Sequence, residues 1–275
     1  MTTRTWFITG VNSGFGREMS RQLLERGDRV AGTVRRDGSA DDLLKEHGDR
    51  FTVSRLDLTD TARIRPVVDE VFARLGRVDV VINNAGYGLF GAAEELTDAQ
   101  VEHQIATNLL GTIQATRAAL PHLRAQGGGR LIQMSSVAGL AAHAGASLYH
   151  ASKWGLEGFS EALAQEVAPF GIEVTLVEPG GARTAFATTS LQVGTPLADY
   201  GNAPSAMVHG IKGHGDLLPG DPAKVAAAVI ASAEQSPAPR RVVLGSDSYQ
   251  GVTAALRARL AEIEPQKASA AATDA

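Results

Sequence analysis

The chain contains no cysteine. That excludes a disulfide scaffold, a thiolate metal site and a cysteine nucleophile. It also lacks a surplus of positive charge: 26 basic side chains stand against 30 acidic ones, for a net charge of -4. A general nucleic-acid binder usually carries a basic surplus, and attraction to anionic membranes needs one too. Long hydrophobic runs are missing. No window approaches the roughly 20 apolar residues of a membrane span, and the first residues lack the apolar stretch of roughly 7–15 that a secretion signal requires. The histidines show no spacing that suggests a metal site. A soluble, cytoplasmic protein is the expectation.

What is present points to one well-buried domain. Hydrophobic residues make up 44% and charged residues 20% of 275 residues, enough for a single sizeable core. The 30 glycines indicate tight turns or close backbone approaches.

Short apolar runs alternate with longer amphipathic stretches. The strand-like runs are 5–9, 29–34, 51–56, 78–82, 130–134, 172–177 and 241–244. Several are nearly continuous in aliphatic and β-branched residues, as in parallel strands covered on both faces. The stretch 17–26 places Met19, Leu23 and Leu24 on one helical face, and 61–75 spaces Ile64, Val67, Val68, Val71 and Phe72 with helical periodicity. The stretch 97–125 opens with Thr97 three residues before Gln100, a capping signal, and Pro121 inside it predicts a kink or break. The alternation predicts an α/β fold: a doubly wound, Rossmann-like parallel sheet of about seven strands with helices on both faces. We read 1–264 as one domain, with an excursion of weak periodicity at 184–220 that would serve as a substrate lid, and 265–275 as a loose tail.

Residues 9–16 read Thr-Gly-Val-Asn-Ser-Gly-Phe-Gly, directly after the first strand and before a helix. In that place a glycine-rich turn carries phosphate chemistry. Gly10 makes the tight turn, Gly14 lets backbone approach a pyrophosphate, and Gly16 allows close helix packing. Amide groups at the helix start face the anion. The turn as a whole, including Asn12, Ser13 and Phe15, is the candidate cofactor cradle. The second strand ends at Val34, with Arg35 and Arg36 following, where an acidic residue would select a free ribose hydroxyl. Paired guanidiniums suit a 2′-phosphate. NADP(H) is therefore favoured over NAD(H), and the neighbouring Asp37 is the residue that argues against it.

Tyr149 and Lys153 are four residues apart, on one face of a helix. An ammonium held there is expected to lower the phenol's pKa from about 10 and equip it to give or take a proton. Ser136 falls just past the fifth strand, at the sheet edge where open α/β folds bind ligands. Its hydroxyl is placed to hold the same substrate oxygen. Taken one at a time, these three residues also read as an aromatic at a helix start, a solvated lysine and a turn residue.

These motifs, with Asp57-Leu58, Asn83-Asn84-Ala85-Gly86, Asn108 and Pro179-Gly180 with Thr184, resemble the compact, single-domain short-chain dehydrogenases/reductases over roughly 1–250. The surrounding residues are most similar to the NADP-using carbonyl, hydroxysteroid and retinol reductase-like members. The resemblance implies a hydride transfer between NADP(H) and a carbonyl or secondary alcohol. It implies Tyr149 as acid/base, Ser136 orienting the carbonyl, and Lys153 on the nicotinamide ribose and lowering the Tyr pKa. Asn108 would hold a water that relays protons to Lys153. Asp57 and Leu58 would meet the adenine. Asn84, Ala85 and Gly86 would form the turn beside the adenosine ribose, and Pro179, Gly180 and Thr184 would fix the carboxamide. One departure is Ser13, where NADP-preferring relatives often carry a basic residue, so phosphate recognition would fall on Arg35 and Arg36. The family habit implies a homodimer or homotetramer through 97–125 and 150–168, with Leu110, Ile113, Leu120, Phe159, Leu163 and Val167 facing either the sheet or a partner.

Leu89, Phe90, Leu140, His143 and Leu148, with Phe186, Leu191, Val193, Leu197, Tyr200, Met207, Val208, Ile211, Leu217 and Leu218 of the excursion, are the candidate substrate wall. They suit a lipophilic ketone or alcohol, and equally they suit packing on each other. Lys212 stands alone as a cation there. His150 next to Tyr149 is expected to face away. The alternative function is a catalytically silent nucleotide-sensing or scaffold protein with the same fold. An epimerase or dehydratase is disfavoured by the modest length.

Overall fold

The computed structural model describes residues 3–186, 188–211 and 215–274. Nine strands and nine α-helices are found among them: β1 (Thr5–Thr9), α1 (Gly14–Glu25), β2 (Arg29–Val34), α2 (Asp41–His47), β3 (Phe51–Arg55), α3 (Thr61–Leu75), β4 (Val80–Asn83), β5 (Leu89–Phe90), α4 (Asp98–Ile105), α5 (Thr112–Ala125), β6 (Gly129–Met134), α6 (Ser147–Val167), β7 (Ile172–Pro179), β8 (Gln192–Val193), α7 (Pro222–Ser232), β9 (Arg241–Leu244), α8 (Ser246–Ile263) and α9 (Lys267–Ala271). Seven strands form one parallel sheet in the order β3-β2-β1-β4-β6-β7-β9. The doubly wound α/β expectation holds.

The order reverses between β1 and β4. Such a reversal opens a crevice at the strand C-termini, because the helices that follow the two strands pass to opposite faces. The glycine-rich turn leaves β1 there and the Asn84–Gly86 turn leaves β4 beside it.

The strands are apolar on both faces because two helix layers cover them. On one side Trp6, Ile8, Val30 and Ile82 meet Met19, Leu23 and Leu24 of α1 and Val225, Ala226 and Val229 of α7. On the other, Phe7, Val81 and Leu131 meet α3 through Val67, Val68 and Phe72, and α5 and α6 through Ala119, Leu123 and Leu163. Leu163 and Val167 are thus sheet-facing, Leu120 and Phe159 pack at the edge of that core, and Leu110 points outward at 48% exposure.

The expected kink at Pro121 is not there: α5 runs through it to Ala125. Pro121 and Arg117, whose carbonyl loses its helical donor, are both exposed, so the missing bond falls on the solvent side of the helix. The irregularity lies earlier, as a π-helical turn over Ala106–Gly111 that contains Asn108. Thr97 and Gln100 form the capping box that starts α4: the Gln100 amide donates to the Thr97 hydroxyl at 3.3 Å and the Thr97 amide to Gln100 Oε1 at 2.9 Å. The terminal segment read as a loose tail carries helical turns, including α9, with exposed side chains. The excursion contributes β8, which pairs with β5 as a separate two-stranded parallel sheet.

Candidate active site

The glycine turn has the backbone its residues permit. Gly10 and Gly14 take φ of +75° and +55°, a region costly for other residues. A Cβ at Gly16 would lie 2.1 Å from the Gly10 carbonyl oxygen, so only glycine lets α1 close on β1. Ser13 precedes α1 without a side-chain cap. The leading amides of the helix therefore present positive partial charge toward the crevice, as an anionic diphosphate requires. Asn84 locks the turn from the far side. Its side-chain amide donates to the carbonyls of Thr9 and Gly10, both at 3.0 Å, while its backbone N–H and that of Ala85 donate to the Thr9 hydroxyl. Thr184 faces Gly14 across the crevice, 3.7 Å from where a Cβ would stand. Its hydroxyl accepts from the Phe186 amide at 3.3 Å. Gly180 packs on Asp247, leaving no room for a side chain. These residues fit a dinucleotide.

Arg35 and Arg36 are exposed at the end of β2. Asp37, the residue that argued against the phosphorylated cofactor, forms an exposed pair with Arg55 at 3.5 Å. Asp57 Oδ1 accepts from the amide and hydroxyl of Thr59 at 2.9 and 2.8 Å. Burial pushes its carboxyl up, but those bonds, with Arg35 and His103, hold it below the ordinary value. Leu58 is buried in the core and packs on Gly111.

Tyr149, Lys153, Ser136 and Asn108 converge at the C-terminal edge of β4 and β6. Ser136 caps a short 3-10 turn over Val137–Gly139, its hydroxyl accepting from the Ala138 amide at 3.2 Å. Lys153 is buried and donates to the Met134 carbonyl, the last of β6, at 2.8 Å. Its Nζ lies 5.9 Å from the Tyr149 ring centroid. Gly86 is the common neighbour: a Cβ there would stand 3.2 Å from Asn108 Oδ1 and 3.9 Å from Lys153 Nζ. Asn108 is held by Tyr87, accepting from its amide at 3.0 Å and donating to its carbonyl at 2.8 Å. Its side-chain amide also donates to the Ser152 hydroxyl at 3.4 Å, so the side chain is taken up by protein groups and the expected water-holding role stays unassigned.

One expectation is reversed. Burial pushes the Tyr149 phenol up to about 12, and Ser136 beside it pulls only partly the other way. Burial also pushes Lys153 down to about 8, against the pull of Glu157. Burial outweighs the Ser136 hydroxyl in setting the direction of that shift.

Those surroundings are specific. Phe90 and Phe186 flank the Tyr149 ring with centroids at 5.9 and 5.6 Å. Leu89, Leu191 and Val208, expected in the wall, are buried as packing, while Met207 and Leu217 are 71% and 74% exposed. Lys212 lies outside the described residues. His150 faces away as expected. Its Nδ1 donates to the Ala138 carbonyl at 2.9 Å and its Nε2 accepts from the His143 amide at 3.0 Å. Among the described residues no group of histidine and carboxylate side chains is placed to hold a metal, and no helix is long and apolar enough to cross a membrane.

Sequence reasoning missed an ionic cluster behind Lys153, buried at Glu157 and Glu178 and open to solvent at Glu161. Arg241 bonds Glu157 at 2.6 Å and also Glu161 and Glu178. The two glutamates on α6 were visible, since Glu157 and Glu161 continue the four-residue spacing of Tyr149 and Lys153, but Arg241 and Glu178 were not.

Comparisons with known proteins agree with this geometry. The short chain dehydrogenase family model matches residues 4–192. Oxidoreductase BOA17 of Botryotinia fuckeliana is 36% identical over 249 residues, 90% of this chain and 91% of that one. A 3-ketodihydrosphingosine reductase of Bacteroides thetaiotaomicron is 39% identical over 179 residues, 65% of this chain and 64% of that one. The crystal structure of a short-chain dehydrogenase from Streptomyces avermitilis superposes with a TM-score of 0.91 at 38% identity, covering 99% of each chain.

Proposed function

The chain belongs to the short-chain dehydrogenase family, and from that premise we propose that it interconverts a lipophilic carbonyl and its secondary alcohol with NADP(H). Membership makes it an NAD(P)-dependent oxidoreductase. The observation that carries the finer reading is the placement of Tyr149 at the sheet's ligand edge, beside Ser136 and Lys153 and between two phenylalanine rings.

The nicotinamide, when bound, supplies or takes the hydride, and the protein supplies position and a proton. The amides from Gly14 onward would take the diphosphate, Asp57 the adenine, Arg35 and Arg36 the 2′-phosphate, and the backbone at Pro179-Gly180 with Thr184 the carboxamide. Tyr149, a neutral phenol at pH 7, donates its proton to the carbonyl oxygen as the carbon is reduced. The Ser136 hydroxyl donates a hydrogen bond to the same oxygen and fixes its direction. Lys153, still largely charged at pH 7 with a value of about 8, stabilises the phenolate left behind. Phe90 and Phe186 exclude water and favour an apolar group beside the carbonyl. The relative named for a long-chain keto lipid is consistent with that preference. A cytoplasmic setting and self-assembly into a homodimer or homotetramer belong to the same proposal.

The test is a panel of aliphatic and aryl ketones followed by nicotinamide absorbance, with NADPH and NADH run in parallel. Tyr149→Phe is expected to lower kcat by roughly 10²–10⁴-fold, the range for lost acid–base catalysis, with cofactor affinity unchanged. Full activity in that variant would overturn the assignment. Cofactor binding by the native chain with no turnover on any carbonyl would favour the silent scaffold.

A further inference from the structure

Tyr149, Lys153, Glu157 and Glu161 recur every four residues of α6 and so form one stripe along the helix. The stripe runs from the reaction site to solvent. Glu157, one turn beyond Lys153, is 4% exposed, and Glu178 of β7 is fully buried. Both carboxylates bond the Arg241 guanidinium, which Glu161 also reaches. Burial and the nearness of Glu157 push the Glu178 carboxyl up. Glu157 Oε1, Glu178 Oε2 and Ser135 Oγ are all buried without hydrogen-bond partners.

A clasp between helix and sheet needs one carboxylate for one guanidinium. Here a second fully buried carboxylate is present, and unpaired buried charge is costly. Lys153 stands one turn away along the same stripe of α6, and Glu157 favours its charge against burial. Glu157 also touches the turn that Ser136 caps: a Cβ at Gly139 would stand 2.8 Å from Glu157 Oε1 and 2.6 Å from Ser135 Oγ. Glu178 immediately precedes Pro179-Gly180. One carboxylate therefore contacts the helix, the turn and, through Arg241, the strand that together bear the site.

We propose that Glu157 is a positioning residue of the reaction, which keeps the Lys153 ammonium charged beside Tyr149 and ties it through Arg241 to Glu178. This rests on the reading of Tyr149 and Lys153 as the proton-handling pair. The charged and titratable groups facing Glu157 and Lys153 are Tyr149 and Glu161 on α6, Glu178 from β7 and Arg241 from β9. The turns at 137–139 and 106–111 bring none, and His103 of α4 is taken up by the Tyr87 hydroxyl at 2.7 Å.

The charge of Lys153 can be read without turnover. Labelling the full chain with lysine carrying ¹³C at Cε gives signals from five lysines, and the one lost in Lys153→Met is assigned to Lys153. Its titration midpoint is expected near 8. Glu157→Gln, which keeps the shape and removes the charge, should lower that midpoint by about one pH unit. Glu157→Asp should restore it to within a few tenths. An unchanged midpoint in Glu157→Gln with a native Tm overturns the proposal. Should that variant fail to fold, Arg241→Gln reads the same link with opposite sign: the midpoint should rise, and no change overturns it. Failure here leaves the Tyr149→Phe result untouched, and failure of that result leaves this titration standing.

Discussion

The backbone N–H of His143 donates to Nε2 of His150 at 3.0 Å. With Nδ1 donating to the Ala138 carbonyl, both ring nitrogens are used and the ring must be neutral. The imidazole is a brace that spans the loop from the Ser136 turn to the start of α6.

Protonation breaks that brace. Burial first, then the nearby His143, lowers the His150 pKa in the folded chain, so the unfolded chain takes up the proton more readily. The contribution to stability is therefore present above the unfolded value of about 6.5 and is lost as pH falls through and below it. Tm should decline between about pH 7 and 5, and His150→Asn should flatten that decline while lowering Tm at pH 8. Parallel Tm curves for both proteins would refute the brace.

Arg35 tests the choice of cofactor. Arg35→Glu places a negative charge where a 2′-phosphate would sit. The dissociation constant for NADPH should rise by roughly 10–100-fold, as expected for losing a charge-assisted phosphate contact. NADH affinity should hold or improve. Fluorescence titration of both cofactors decides it, and an equal loss for the two would remove Arg35 from phosphate recognition.

Glu95 fastens the excursion to the body of the protein. Its side chain is buried after β5, with Oε2 accepting from the Ala92 amide at 2.7 Å and meeting His209 Nε2 at 3.0 Å, while Oε1 accepts from the Leu197 amide at 3.1 Å. Burial pushes this carboxyl up, but those donors hold it below its ordinary value. The clasp is present above the unfolded carboxyl value of about 4.3 and weakens as pH falls through the lower folded value. Glu95→Gln should speed limited proteolysis within 188–211 several-fold and raise KM for the carbonyl more than it lowers kcat. Unaltered proteolysis would show that the clasp does not hold this segment.

Much of this was legible in the residues. Strand positions followed from β-branched runs, and the glycine turn from three glycines whose spacing is set by backbone contact. Tyr149 and Lys153 were visible because i, i+4 spacing survives whatever surrounds the helix. What was not legible depends on tertiary distance. Pro121 looked disruptive only because its exposure was unknown, and no residue type announces the widened turn at 106–111. The Tyr149 pKa was misjudged because the spacing reported its nearest cation but not the extent of its burial. Arg241, 84 residues from Glu157, carries no local sign of their meeting.

The pairing of β5 with β8 has a wider consequence. The Gln192 amide donates to the Gly88 carbonyl at 2.8 Å and the Gly194 amide to the Phe90 carbonyl at 2.7 Å. Main-chain groups moor this stretch of the excursion, and the Glu95 side chain fastens it farther along. The pairing leaves the Gln192 and Val193 side chains uninvolved, so point changes at those two positions leave the strand's attachment to β5 intact.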